Sequence, residues 1–131
     1  MSIQEKVCIR VLGSMIGYAA AEITKFDEDF KNKLEGFEDV IQWKVGEDIA
    51  YYTIIKDKTI TSGDGIAANP TITLEIDDVS EALNVLIGKS DMSALIGKIN
   101  IIGGDPQKLL TFSLIMQTVR EYLEDLMNQE V

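Results

Sequence analysis

Residues able to do chemistry are scarce in this chain of 131 residues, and their spacing matches no catalytic pattern. The sequence contains no histidine and one cysteine, Cys8. The lack of histidine excludes Ser-His-Asp catalysis, Cys-His catalysis and imidazole metal sites. A single cysteine excludes an internal disulfide and an all-cysteine zinc site, and we expect its thiol to be buried and inert. The sequence therefore predicts that the chain is not an enzyme and uses no metal or cofactor.

Glycine-rich segments and acidic clusters also predict structure rather than a site. The segments at 62–65 (SGDG) and 103–105 (GGD) lack the Gly-Lys-Ser/Thr ending of a phosphate-binding loop. The acidic residues at 27–29, 75–78 and 121–125 lack the spacing of a calcium loop. Turns, helix caps and solvated faces account for all five segments.

Charge and hydrophobic content limit the partners of the chain. There are 12 Lys and Arg residues against 22 Asp and Glu residues, a formal charge of −10, and 46 % of the residues are hydrophobic. Nucleic acid and anionic membranes repel such a chain. The apolar segment 7–21 contains Arg10, is shorter than the ~20 residues of a spanning helix and lacks the basic leader of a signal peptide. We expect a buried helix, no stable membrane insertion and a cytoplasmic location.

The elements that must position any site follow from periodicity, caps and turn signals. No repeat or linker interrupts the chain, so we expect one domain over residues 1–131, with residues 1–23 as an additional N-terminal helix. Helices are predicted at 4–22, 27–34, 78–88, 92–96 and 106–127, and strands at 40–45, 49–56, 59–62, 71–77 and 98–102. The run 7–11 would also suit a strand.

Small residues occupy every fourth position of the first helix, at Gly13, Gly17 and Ala21. Such a stripe permits close helix packing. A close contact would offset the cost of the two helical glycines, about 1 kcal/mol each relative to alanine. Two interpretations stay open: the stripe packs on the core of its own chain, or it forms a homodimer.

Apolar faces on several predicted helices could cover one side of the predicted sheet. They belong to the segments 83–87 and 92–96 and to the last helix, and Met92, Met116 and Met127 add adaptable side chains. Helices that cover a sheet without closing against it leave a concave apolar site. A dry core uses the same residues as such a site, so composition alone does not separate the two.

Several sequence motifs occur in a characteristic order. They are KLEGFEDVIQWKV (33–45), AYYTIIKDKTI (50–60) and NPTITLEIDD (69–78), then Gly88-Lys89 and Gly97-Lys98, then INIIGGD (99–105) before a long amphipathic helix. With this order, the chain resembles the sterol carrier protein type-two family of nonspecific lipid-transfer domains over about residues 27–120. The two Gly-Lys pairs carry the most specific part of the resemblance.

The resemblance implies an α+β fold with a five-stranded, mixed and mostly antiparallel sheet in the order 3-2-1-4-5. Helices over one face would enclose an apolar tunnel that carries a sterol, fatty acyl chain or isoprenoid lipid without a catalytic residue. The residues expected to line this tunnel are Trp43, Leu74, Leu83, Leu86, Ile87, Met92, Leu95, Ile96, Ile99, Ile101, Leu109, Phe112 and Met116. The alternative function is a non-catalytic module that dimerises or docks on an enzyme through the N-terminal helix.

Overall fold

The computed structural model describes residues 2–86, 89 and 98–128, leaving out the side chains of residues 85, 86 and 125–128. The elements are α1 (Ile3–Phe26), α2 (Glu28–Lys33), β1 (Asp39–Val45), β2 (Ile49–Lys56), β3 (Thr59–Asp64), β4 (Ile72–Ile76), α3 (Val79–Leu86), β5 (Ile99–Gly103) and α4 (Pro106–Asn128). The predicted helix at 92–96 lies outside the described residues. The other predicted elements are present, and the segment 7–11 is helical rather than extended.

One sheet contains the five strands in the order β3-β2-β1-β4-β5. The pair β1–β4 is parallel and the other pairs are antiparallel, so the predicted α+β fold with a mixed, mostly antiparallel sheet is confirmed. The turn between β2 and β3 holds Asp57 and Lys58 at φ +52° and +61°. Positive φ at both central residues is the hairpin geometry that matches the right-handed twist of the strands.

The inner face of the sheet carries the core. Alternate residues of β1 point to this face, and Ile41, Trp43 and Val45 are all buried. Trp43 is registered with Leu74 of the parallel neighbour β4. α4 packs on the same face through Phe112, whose ring centroid lies 5.9 Å from that of Trp43. The strict alternation of β1 and β4 therefore separates a buried inner face from an outer one.

The outer face is closed by the connection from β3 to β4. Since these strands lie on opposite sides of the β2–β1 pair, the connection crosses the sheet. Beneath it, Gln42 is 1 % exposed. Its Nε2 donates to the carbonyl oxygens of Tyr51 (3.1 Å) and Gly65 (3.0 Å), and its Oε1 accepts from the Ala67 N–H (2.7 Å). Because its donors and acceptor are satisfied, this buried amide fixes the crossing loop at low cost.

The orientation of α1 differs from the expected one. Its buried side follows Ile9, Ile16, Ala20 and Ile23, whereas Cys8 is exposed. The prediction of a buried thiol is therefore wrong. Successive helical residues are about 100° apart, so burying Ile9 turns Cys8 toward solvent. The stripe at positions 7, 11 and 15 is also exposed, although sequence periodicity favours its burial.

The small-residue stripe of α1 contacts the sheet of its own chain. A Cβ built on Gly13 would lie 3.3 Å from Tyr51 Cζ, and one built on Gly17 would overlap Ser62 Oγ and lie 3.0 Å from Ser62 Cβ. The first of the two interpretations is thus the correct one for these glycines. β2 and β3 face the two glycines, and a homodimer through Gly13, Gly17 and Ala21 stays a prediction.

Length and composition would allow α1 to cross a membrane, and no other helix of the described ranges meets that test. Its apolar window is 28 % buried inside the protein. The buried part is the side that packs on the sheet.

Candidate functional site

A cavity of about 70 Å³ lies between the inner face of the sheet and the helices that cover it. All four strands from β1 to β4 and the helices α1, α3 and α4 contribute to its wall. The residues of the described ranges that line it are Gly13, Ile16, Gly17, Ala20, Trp43, Val45, Tyr51, Thr53, Ile60, Ile76, Ala82, Phe112, Met116 and Arg120. The lining is almost entirely apolar, as in pockets that take hydrophobic ligands.

Three aromatic rings form the centre of the cavity wall. The rings of Trp43 and Tyr51 are stacked, with centroids 6.0 Å apart and planes 16° apart. Phe112 of α4 meets Trp43 at an interplanar angle of 47°. Offset and tilted ring pairs of this kind contribute about 0.5–1.5 kcal/mol beyond their area. The aromatic group therefore packs the sheet against α4 at the centre of the cavity wall.

Among the described residues, polar groups reach the cavity at three positions. Thr53 is buried on β2, and Arg120 comes from α4 one turn after Met116. Tyr51 brings its phenol group under α1, where burial raises the pKa of its hydroxyl. No carboxylate lines the cavity among the residues described.

The N-terminal half of α4 is held over the sheet by a buried carboxylate. Asp39 is 3 % exposed, and its Oδ1 accepts from Thr71 Oγ1 (2.7 Å) and Lys108 Nζ (3.2 Å). Its Oδ2 is buried and has no hydrogen-bond partner in the part of the chain that is described. Asp105 caps the same helix by accepting from the Gln107 N–H (2.9 Å). These contacts fix the register in which Phe112 and Met116 face the cavity.

The C-terminal half of α4 is tied to the junction between α1 and α2. The Tyr122 hydroxyl donates to Asp27 Oδ2, and Asp27 Oδ1 accepts from the Phe30 N–H (3.0 Å) as the N-cap of α2. The Tyr122 hydroxyl, and then the Phe30 N–H, hold the pKa of Asp27 below its usual range, because both donate to the charged carboxylate. The acidic cluster at 27–29 thus has the structural role expected of it.

The predicted tunnel residues fall into three groups. Trp43, Phe112 and Met116 line the cavity. Leu74, Leu83, Ile99, Ile101 and Leu109 are buried or partly buried in the surrounding core without lining it. The third group, Leu86, Ile87, Met92, Leu95 and Ile96, lies outside the described side chains. A ligand-binding role for these residues stays a prediction.

Sequence reasoning missed the contribution of α1 to the cavity. Gly13, Ile16, Gly17 and Ala20 form one wall. The spacing of the two glycines was a signal for this wall, because it indicates a close contact on that side of the helix. Tyr51 was also missed, since its position in an aromatic and β-branched run predicts a strand and no particular site.

A second, open pocket of about 410 Å³ adjoins the cavity between α1 and the edge strand β3. Its lining is Gly13, Ser14, Gly17, Tyr18 and Ala21 of α1, Tyr51 of β2, and the β3 residues Thr61, Ser62, Gly63 and Asp64. Gly13, Gly17 and Tyr51 therefore belong to both the cavity and the pocket. The pocket is more polar than the cavity because it contains several hydroxyl groups.

Sequence comparison identifies no relative of the chain. No protein-family model matches it, and no curated protein matches it. The fold has to be compared through structure instead.

Several solved structures with this fold are sterol carrier proteins. Sterol carrier protein 2 from Yarrowia lipolytica in its apo form has 14 % identity and a TM-score of 0.59, over 81 % of this chain and 90 % of that chain. A crystal structure of sterol carrier protein 2 has 14 % identity and a TM-score of 0.60, over 82 % of this chain and 95 % of that chain. The palmitated SCP2L2 of Aedes aegypti has 15 % identity and a TM-score of 0.52, over 73 % and 94 %.

These comparisons define the class of fold. The chain has the fold of sterol carrier protein 2 domains, and the resemblance predicted from its motifs is confirmed at the level of structure. Since the identities are 14–15 %, the likeness concerns the fold and leaves the ligand open.

Proposed function

We propose that the chain binds and carries a hydrophobic ligand, a sterol, fatty acyl or isoprenoid lipid, in the space between the sheet and its covering helices. The observation that carries the proposal is the apolar cavity behind Trp43 and Phe112, in a fold shared with sterol carrier proteins. One of the structures with this fold is a palmitated protein, so the fold accepts an acyl chain in at least that case.

Burial of the apolar chain is sufficient for such a ligand to bind, so no charged residue has to contact it. Burial of each CH₂ contributes about 0.8 kcal/mol, so roughly ten methylenes contribute about 8 kcal/mol before ordering costs. The proposal contains no chemical step and no cofactor, in keeping with a sequence that has no histidine. Its location in the cytoplasm is part of the proposal.

Co-purifying lipid provides the direct test. We expect native mass spectrometry of the purified chain to show a bound species that organic extraction releases as a lipid. We also expect the delipidated chain to take up cis-parinaric acid or cis-parinaryl alcohol, which are fluorescent lipids. A chain that carries no lipid and takes up neither probe would refute the proposed function.

A cavity-filling substitution locates the binding site. Ala82 of α3 is buried and lines the cavity, whereas Ala68 is exposed in the loop between β3 and β4. Ala82→Leu places extra carbon atoms in the cavity, and we expect probe affinity to fall at least about ten-fold, or 1.4 kcal/mol. Ala68→Leu makes the same chemical change in a loop and should leave affinity unchanged. Equal affinities in the two variants would place the ligand elsewhere.

A second candidate function, self-association, is favoured by the outer face of α1. Ile3, Val7, Val11, Met15 and Tyr18 follow one side of this helix and are 46–78 % exposed. The flanking cations are turned away from that side, since Lys6 binds Asp48 (2.8 Å) and Arg10 binds Asp64. An uncharged apolar stripe over about four turns is typical of an interaction surface. We propose a second copy of this chain as its occupant, with the two α1 helices in contact.

Sedimentation velocity separates this candidate from a monomeric carrier. We expect the wild type to sediment at twice the chain mass and Val11→Glu, which places a charge in the stripe, to sediment as a monomer. Gln117→Glu adds the same charge at an exposed position of α4 and should leave the dimer intact. A monomeric wild type would exclude self-association and leave lipid binding unaffected.

A further inference from the structure

We propose that the ligand site continues from the cavity beneath Gly13, past the Tyr51 ring, into the surface pocket between α1 and β3, and that this pocket holds a neutral hydroxyl or amide head of a single-chain lipid. This inference rests on the proposed function and deepens it. It assigns an entrance, a polar subsite and a preference between lipids that have the same hydrocarbon chain and different head groups.

Size is the first reason. The cavity of about 70 Å³ is half of the ~150 Å³ that holds benzene in an engineered protein cavity. Ligand sites usually measure ~300–1,000 Å³. The adjoining pocket of about 410 Å³ brings the combined space into that range. A lipid chain that uses the cavity must therefore extend into neighbouring space, and the surface pocket shares three residues with the cavity.

Tyr51 is the residue with a side chain that lines both spaces among the described residues. The atoms of Tyr51 nearest to Gly13 are Cζ, Cε2 and Oη, at 3.3–3.6 Å from a Cβ built on that glycine. The far end of the ring thus lies beneath a position that has no side chain. Rotation of Tyr51 about its own side-chain bonds would open this gap at the cost of its stack with Trp43, which is about 0.5–1.5 kcal/mol. At Gly17, by contrast, Ser62 closes the contact directly.

The polar lining of the pocket selects the head. Ser14, Tyr18 and Ser62 present hydroxyl groups, and the carboxylate of Asp64 is already paired with Arg10. Neither Lys nor Arg lines this pocket among the described residues. A carboxylate or phosphate head would thus meet an acidic protein without a cation to receive it, while a hydroxyl or amide can both donate to and accept from these groups.

Kinetics test the entrance. Tyr51→Ala removes the partition, and we expect both the association and dissociation rates of cis-parinaryl alcohol to rise about ten-fold or more in stopped-flow fluorescence, as for the loss of a gate. Tyr52→Ala is the matched control, because Tyr52 lies beside it in β2 but packs over Gly63 on the opposite face. Gly13→Ala should have the opposite effect and slow both the association and the dissociation of the probe, because its Cβ crowds the end of the Tyr51 ring. This second variant also covers the case in which Tyr51→Ala does not fold.

Two probes that have the same hydrocarbon chain and different head groups test the head-group preference. At about pH 8.5 cis-parinaric acid is a carboxylate, and we expect cis-parinaryl alcohol to bind the wild type at least about three-fold more tightly. Tighter binding of the acid, weakened by Arg120→Gln, would place the head at the α4 side of the cavity and overturn the assignment. Rates unchanged in both Tyr51→Ala and Gly13→Ala would refute the entrance while lipid binding itself stands. If the wild type binds neither probe, the proposed function and this inference fail together.

Discussion

The contact of Gly17 with Ser62 sets how closely α1 approaches the sheet, and Gly17→Ala probes it. Alanine is favoured over glycine in a helix by about 1 kcal/mol. The added Cβ would however overlap Ser62 Oγ and lie 3.0 Å from Ser62 Cβ. The hydroxyl can rotate away, but the Cβ can move only with the backbone of β3. Overpacking of this kind costs about 1–3 kcal/mol, so we expect a net loss of about 1 kcal/mol.

Removal of the opposing side chain should reverse the sign. In a Ser62→Gly background the new Cβ meets neither atom, and Gly17→Ala should then stabilise the protein by the helix-propensity gain of about 1 kcal/mol. The two effects differ by about 2 kcal/mol, which is a coupling energy typical of residues in contact. The intrinsic cost of glycine in β3 is present in both Ser62→Gly proteins and cancels in the cycle.

Urea unfolding of the four proteins measures this coupling. Fluorescence of Trp43, which is the single tryptophan and is buried beside the cavity, reports the transition. A coupling of about 2 kcal/mol with the expected change of sign supports the direct contact between α1 and β3. An equal gain from Gly17→Ala in both backgrounds would mean that α1 is farther from the sheet, and the size of the cavity would have to be revised with it.

Two further predictions concern the ends of α4. Lys108→Met leaves the buried Asp39 carboxylate without its cation, so we expect the free energy of unfolding in urea to fall by about 2–4 kcal/mol. Lys56→Met, at an exposed strand end, is the control and should change that free energy by less than about 0.5 kcal/mol. Equal effects of the two substitutions would contradict the anchoring role of Lys108. Tyr122→Phe removes the main donor that lowers the pKa of Asp27, so carboxyl NMR titration should show that pKa moving up. A lowered carboxyl pKa stabilises the fold above the ordinary Asp value of about 3.9 and ceases to do so as pH falls through the folded value. The stability difference between wild type and Tyr122→Phe should therefore be present near neutral pH and shrink in acid, and an unmoved Asp27 pKa would disprove the coupling.

Local patterns were sufficient for most elements of the fold. The alternation around Trp43 identifies both the strand and its buried face, because side chains of a strand alternate between faces. The sequence around Asp57 and Lys58 marks the turn of a hairpin. Asp105 followed by Pro106 marks the start of α4, since both residues suit their positions at a helix N-terminus. Each of these features depends on neighbours within a few positions.

The rotation of α1 could not be obtained in this way. Apolar residues surround most of this helix, so periodicity offers two competing faces. In the structure, the face that contains Ile9 and Ile16 is buried, and the face that contains Val7 and Val11 is exposed. Gly13 and Gly17 decide the matter, because only the side with small residues can approach Tyr51 and Ser62 so closely. That decision depends on residues about 40 positions away, which no local pattern contains.

The walls of the cavity differ in how strongly they resist a ligand. Opening the sheet would break a continuous ladder of backbone hydrogen bonds, each with a net contribution of about 1 kcal/mol. The N-terminal half of α1 is joined to the sheet by the exposed ion pairs Lys6–Asp48 and Arg10–Asp64, and such pairs contribute about 0–1 kcal/mol each. Exposing the buried Ile9 adds about 1.5–3 kcal/mol to the cost of moving this half of α1. Burial of roughly ten methylenes, at about 0.8 kcal/mol each, exceeds that cost together with the release of both pairs. A ligand larger than the cavity is therefore expected to displace α1 at Gly13 rather than any strand, which is also the place where Tyr51 separates the cavity from the surface.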